Sequence, residues 1–254
     1  MRVVITRILF LLSCQLYGQA FTSQISRQQR PRSFSTYTYS DRLIVRHATD
    51  IIQERIEESL DLLQTAALTK AEDKDKVVRA LLDLEQDMRS KAKKDPDVAT
   101  NMLNNLDGAW RLVFTTGTID TQKKMGQINY FPIKAVQSFN TEKMTLTNGR
   151  YAGNFPLLKF FGPFQFDPAK RKLEFDFYEL AVLGFKFDLG RAGVSASEIG
   201  SATGLGSNNN KKLLDSGKKP FFNWISANSE IATARGGGGG LALWRRYQET
   251  QPES

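Results

Sequence analysis

The residues able to do chemistry are few. The chain of 254 residues has one Cys and one His. Cys14 alone forms no internal disulfide, and with His47 it cannot complete a four-ligand zinc site. His47 sits in a helical stretch far in sequence from any clustered Ser or Asp, so no nucleophile–base–acid relay is spelled out, and a surface or packing role is expected. Glu57-Glu58 falls on the polar face of the same stretch. Glu179 is the carboxylate with most to offer. In register with Phe177 and Ala181 it would point inward and hold a polar ligand group, unless a bulge returns it to solvent, which is the favoured reading.

Gly236–Gly240 has the composition of a phosphate-cradling loop without its context. Such loops open a helix and bring Lys or Ser/Thr to the phosphates, whereas Leu241–Tyr247 alternates as a strand. A hairpin turn is expected. Basic residues at Lys91–Lys94, Lys170–Lys172, Lys211-Lys212 and Arg245-Arg246 are scattered, and no nucleic acid partner is expected. No catalytic residue, cofactor or metal is expected, and an enzyme acting on a lipid or pigment is the weakest alternative.

The aromatic side chains carry more information, with 17 Phe and 3 Trp in the chain. Alternation places Trp110, Phe114, Phe175, Phe177 and Phe185 on one face of their strands, as candidate contacts for an apolar ligand inside a barrel. Phe160, Phe161 and Phe164, beside Gly and Pro, are candidates for a rim that dips into a lipid surface. A core simply packed with these rings is the competing reading.

Two kinds of element must position them. Across 41–105 the period is helical: Ile44, Ala48, Ile51, Ile52, Ile56, Leu60 and Leu63 form one stripe, and Val77 to Met88 a second after a polar break. Asp95-Pro96 ends that helix, and Val98–Leu106 adds a short third one. Across 106–250 the period is two. Trp110, Leu112 and Phe114 alternate with polar or small residues, as do Met144 and Leu146, and a longer run follows from Leu173 through Phe177, Ala181, Leu183, Phe185 and Phe187 to Leu189. Asn148-Gly149 reads as a hairpin turn. Ser229–Arg235 and Leu241–Tyr247 read as strands joined by the glycines. Many short strands with no helices between them predict a closed or strongly curved antiparallel sheet, mainly β with helices in front. The 190–219 stretch, rich in Gly, Ser, Asn and Lys, is expected to be a mobile loop at one end of that sheet.

The net charge of +8 is uneven. Arg2, Arg7, Arg27, Arg30 and Arg32 stand in a first forty residues without one acid, which leaves thirty basic side chains against 27 acidic ones in the whole chain. Residues 1–20, with Arg2 and Arg7 before the apolar run Ile8–Leu12 and small Gly18 and Ala20, read as a signal peptide. Residues 21–40 are Ser/Thr-rich, basic and acid-free, like a transit peptide. The junction Gly18-Gln19-Ala20-Phe21 resembles the two-part plastid presequence of diatoms and related algae, which implies a plastid location.

Two further motifs carry a resemblance. Leu106-Asp107-Gly108-Ala109-Trp110-Arg111-Leu112-Val113-Phe114-Thr115-Thr116 is similar to the opening strand of the plastid lipid-associated, or fibrillin, family. Glu230-Ile231-Ala232-Thr233-Ala234-Arg235-Gly236, followed by Leu241 to Arg245, is similar to that family's closing hairpin. The resemblance implies a lipocalin-like barrel behind helices, on plastoglobules or thylakoid membranes, binding or organising prenylquinones, carotenoids or acyl lipids. Its partners would be an apolar lipid or isoprenoid and the plastid membrane or plastoglobule surface. Gly108, Trp110, Arg235, Gly236 and Arg245 are the motif positions, and Arg245 or Arg246 is expected to pack over Trp110 as a cation–π lid of about 0.5–2 kcal/mol. A coat protein with a packed barrel and no internal ligand is the alternative.

Overall fold

The computed structural model describes residues 39–119, 122–123, 126, 129–131, 134–189 and 219–248, with side chains from residue 50 onward. Three helices come first: α1 (Tyr39–Thr69), α2 (Lys74–Ala92) and α3 (Asp97–Leu106). In α2, Val77, Ala80, Leu81, Leu84 and Met88 are buried, the three-and-four spacing of a single packed stripe. Asp73 caps this helix by accepting from the amides of Asp75 and Lys76 at 3.0 Å, a contact worth about 1 kcal/mol. The stripe of α1 (Ile56, Leu63, Ala66 and Ala67) and that of α3 (Val98, Met102 and Leu106) are buried in the same core.

Ten antiparallel strands follow: β1 (Gly108–Thr115), β2 (Lys134–Asn140), β3 (Thr145–Ala152), β4 (Phe155–Asp167), β5 (Lys172–Phe175), β6 (Glu179–Val182), β7 (Phe185–Asp188), β8 (Phe221–Ala227), β9 (Ile231–Gly236) and β10 (Leu241–Tyr247). Eight of them close a barrel in the order β1-β2-β3-β4-β5-β8-β9-β10, with β10 pairing back onto β1. Closure leaves these strands no free edge along most of their length. The pair β6 and β7 stands outside this circuit. β6 lies along the first half of β4, from Leu158 to Phe161, where β5 has not yet begun, and β7 lies on β6. The wall therefore extends past the closed barrel as a four-stranded flap, β3-β4-β6-β7.

The aromatic rings lie mostly within the barrel. Phe139 on β2 meets Trp224 on β8 with ring centroids 5.6 Å apart, although β1, β10 and β9 separate these strands along the wall. Such a contact must cross the lumen. Phe164 joins Phe139 edge-on from β4, and Phe175, Phe222, Trp224 and Trp244 form a continuous chain at 5.3–5.8 Å. All of these side chains are buried. The lumen is thus filled by rings from opposite walls, in edge-to-face, tilted and, for Phe175 on Phe222, stacked geometries.

Strands β8 to β10 are buried on both faces, with the helices covering the outside. Arg235 reaches out from β9 to grip Glu85 of α2 through two contacts, 2.9 and 2.5 Å long. Ser226 and Thr233, neighbours on β8 and β9, share a buried hydroxyl–hydroxyl bond of 2.7 Å.

Two sequence expectations change here. Asn148-Gly149 is not a turn: both residues lie inside β3, paired with Gln137 and Val136 on one side and with Phe160 and Lys159 on the other. The hairpin turns later, at Gly153-Asn154, because β3 must run on to match the length of β2 and β4. The long alternating run Leu173–Leu189 is three short strands rather than one, broken at Asp176–Tyr178 and again at Leu183-Gly184. The 190–218 part of the expected loop and the N-terminal segments before residue 39 lie outside the described residues.

Candidate functional site

The two ends of the barrel differ in chemistry. At the end where β1 begins, Trp110 is fully buried and its Nε1–H donates to the Leu106 carbonyl of α3 at 2.8 Å. The Arg246 guanidinium lies 4.0 Å from the Trp110 ring centroid. Its N–H groups donate to the carbonyls of Asn105 (2.8 Å), Ser229 (3.2 Å) and Asp107. Burial lowers the pKa of this guanidinium from its ordinary value and the nearby Asp107 opposes the shift. The group stays charged, so the cation–π contact persists at any pH at which the protein is folded. Gly108 belongs to the same seal. Its φ is +102°, and a Cβ there would stand 2.9 Å from Arg246 Nη1.

The lid over Trp110 is therefore Arg246. Arg245, the motif position expected from the sequence, is exposed and points away, because it falls on the opposite face of β10 in register with Arg111. Of the remaining motif positions, Arg235 ties the barrel to α2, and Gly236 bonds its amide to the Gly240 carbonyl at 2.9 Å, opening the β9–β10 hairpin. The hairpin reading of Gly236–Gly240 holds, and a small hollow there of about 10 Å³, lined by Thr118, Phe222 and the glycines, has room for roughly one water.

The candidate ligand contacts scatter. Trp110 and Phe175 are buried in the lumen. Phe177 lies in the break after β5, partly buried between the Phe160 and Phe175 rings. Phe114 follows a bulge in β1 that brings it opposite Leu243, and its ring meets Tyr130 edge-on. The Tyr130 hydroxyl donates to the Glu72 carbonyl between α1 and α2, which places Phe114 on the helix side of the wall and not in the lumen. Phe185 is no lumen residue either: it is 74% exposed, at the start of β7 beyond the closed barrel. The turn at Leu183-Gly184, not foreseen from alternation, put it there.

The candidate membrane contacts divide likewise. Phe164 is buried against Phe139 and cannot reach a surface without unfolding the barrel. Phe160 packs on the inner face of the flap with Leu158, Leu180 and Leu189. Phe161 is half-buried on the outer face, with the Lys186 ammonium 5.1 Å from its ring centroid. Glu179 points outward too, 2.8 Å from Lys186 Nζ, so it offers nothing to the lumen.

Apolar exposure is found instead at the other end of the barrel, opposite the Arg246 seal. Phe155 at the start of β4 is 55% exposed and Leu183 in the β6–β7 turn 44%, and Ile119, beyond the end of β1, is exposed at the same end. The Leu183 amide donates to the Leu157 carbonyl at 3.1 Å, which holds the tips of the two hairpins together. Alternation could not have placed Leu183 there, because it is apolar at a turn, where polar residues are the rule. Ile51, Leu68 and Leu82 are exposed singly on the helices.

Two buried polar atoms on the inner face, Gln137 Oε1 and Trp224 Nε1, have no hydrogen-bond partner among the described residues. Among those residues no group of three or more His, Cys, Asp or Glu could hold a metal ion, and no helix is long and apolar enough to cross a membrane. The architecture defines a lipocalin-like barrel, sealed at one end by Arg246 over Trp110. No family model, curated protein or solved structure matches the chain.

Proposed function

We propose that this chain is a non-enzymatic lipid-associated protein that works from its surface, with the packed barrel as a rigid scaffold. The observation that carries the reading is the division of apolar side chains: the lumen rings pack against one another across the barrel, while Phe155, Leu183 and Phe185 are left in solvent at one end. A large apolar side chain held at a turn gains nothing from water and gains about 1.5–3 kcal/mol when it is buried in an apolar medium. Membership of the plastid lipid-associated family, and a place on plastoglobules or thylakoids, belong to the same proposal. They rest on the Leu106–Thr116 and Glu230–Gly236 motifs and on the presequence. The test is co-flotation of the purified chain with lipid vesicles or isolated lipid droplets: the chain rises with the lipid if the reading is right and stays in the dense fraction if it is wrong.

A carrier of an apolar lipid is the second reading, and one observation favours it. The unpartnered Trp224 Nε1–H and Gln137 Oε1 are buried in the lumen, where each costs about 1–3 kcal/mol unless a water or a ligand headgroup answers it. Native mass spectrometry after lipid loading separates the two readings. A single bound lipid per chain supports the carrier, and bare polypeptide supports the scaffold.

A further inference from the structure

We propose that the tips of the β3–β4 and β6–β7 hairpins form an insertion site for a negatively charged lipid surface, an inference that rests on the lipid-surface reading above. Phe155, Leu183 and Phe185 enter the acyl region, and Lys134 and Lys186 meet the headgroups. Three observations converge on this. The first is that these are the most exposed large apolar side chains of the flap tips, joined by the bond from the Leu183 amide to the Leu157 carbonyl. The second is charge. The Lys134 ammonium bonds to Asn154 Oδ1 at 3.0 Å, directly beside Phe155, and Lys186 follows Phe185 in β7. Lys159 stands farther back on the outer face of β4, so three lysines meet two carboxylates on this side of the wall, Asp188 and Glu179, the latter 2.8 Å from Lys186 Nζ.

The third observation is local strain. Val182 pairs with Phe185, so Leu183-Gly184 is a two-residue turn, with φ of +51° and +88°. Such a turn favours Asn, Asp or Gly at its first position, and a leucine there is strained. Packing repays only part of the strain, because 44% of Leu183 stays exposed. A leucine strained at a left-handed position and left 44% exposed is explained by a partner outside the fold. An apolar tip backed by cations matches an anionic membrane surface, which takes the side chains some 5–10 Å deep and attracts the lysines within a Debye length of about 10 Å.

The experiment measures sedimentation of the full chain with phosphatidylcholine vesicles, with and without phosphatidylglycerol, for the wild type and for Leu183→Asn, Phe185→Ser and Lys134→Ala. Binding is expected to be stronger on the anionic vesicles and to weaken with added salt. Phe185→Ser should lower the partition coefficient at least tenfold and Lys134→Ala about fivefold. Leu183→Asn should weaken binding while its melting temperature holds or rises, since asparagine suits the turn. That opposite pair of effects excludes misfolding as the cause. If the wild type binds and the tip variants bind equally well, the insertion site is overturned while the lipid-surface reading stands. Equal binding to neutral and anionic vesicles overturns the charge argument, and failure of the wild type to bind any vesicle or lipid droplet overturns both readings.

Discussion

Replacing Phe139 by alanine tests the packed lumen at the point where opposite walls meet. The ring is buried, with Phe164 at 6.0 Å and Trp224 at 5.6 Å, both near-perpendicular to it. Truncation of a buried Phe costs about 3–5 kcal/mol in transfer and cavity terms together. Loss of two edge-to-face partners, each worth about 0.5–1.5 kcal/mol, puts this site in the upper part of that range. A loss of about 4 kcal/mol lowers the melting temperature of a domain this size by roughly 8–16 °C. Urea unfolding followed by tryptophan fluorescence reads the change directly, because Trp224 and Trp244 lie in the same cluster. Phe139→Leu, which keeps most of the volume, should cost less than about 2 kcal/mol. A loss below about 1 kcal/mol for the alanine variant would mean that the rings do not fill the lumen and that a hydrated or ligand-holding cavity takes their place.

Other consequences follow from the same geometry. Arg246→Ala removes the ring contact and three carbonyl bonds and should cost about 2–3 kcal/mol, while Arg245→Ala, on an exposed residue, should stay within about 0.5 kcal/mol. Gly108→Ala forces φ of +102° on a side chain that meets Arg246, and a loss of more than about 1 kcal/mol in thermal unfolding is expected. Arg235→Ala leaves Glu85 with only Arg89, 3.5 Å away, and should cost about 1–3 kcal/mol, with Arg235→Lys between it and wild type because lysine cannot reproduce the fork. Burial, with help from Glu72, raises the pKa of Tyr130 above its ordinary value. The unfolded chain therefore releases this proton first, so the Tyr130 contribution is complete below about pH 10 and declines as the pH rises through the folded value. Tyr130→Phe should lower stability near neutrality by about 0.5–1.5 kcal/mol and flatten that alkaline decline in urea titrations.

The helices and the closed sheet were legible because periodicity reports which face is buried, and that is what packing enforces. Of the two apolar stripes named from the sequence, Ile56 and Leu63 in the first and Val77, Leu81, Leu84 and Met88 in the second are buried, while Ile51 and Leu82 are exposed. The seal at Trp110 was half legible: the resemblance carried by Gly108-Ala109-Trp110 implied an arginine late in the last strand, and pairing register decides that it is Arg246 and not Arg245. Asn148-Gly149 misled because a dipeptide with a strong turn preference was overruled by ladder bonds on both sides. The opposite error occurred at Leu183-Gly184. Leucine is a poor residue for a left-handed position, so the turn carried no local signal, and unbroken alternation carried Phe185 into the lumen on paper. The exposed tip was illegible for that reason: Leu183 is apolar where turn chemistry calls for a polar residue. Phe114 was misplaced by one bulge, which alternation cannot foresee.

The proposed function has a barrel already full of its own rings acting at a lipid surface. It is tested most directly by floating the chain on lipid vesicles and then releasing the bound fraction into a native mass spectrometer. The chain is expected to float and to fly as bare polypeptide. A chain that stays in the dense fraction, or one that carries a single lipid surviving desolvation, would contradict it.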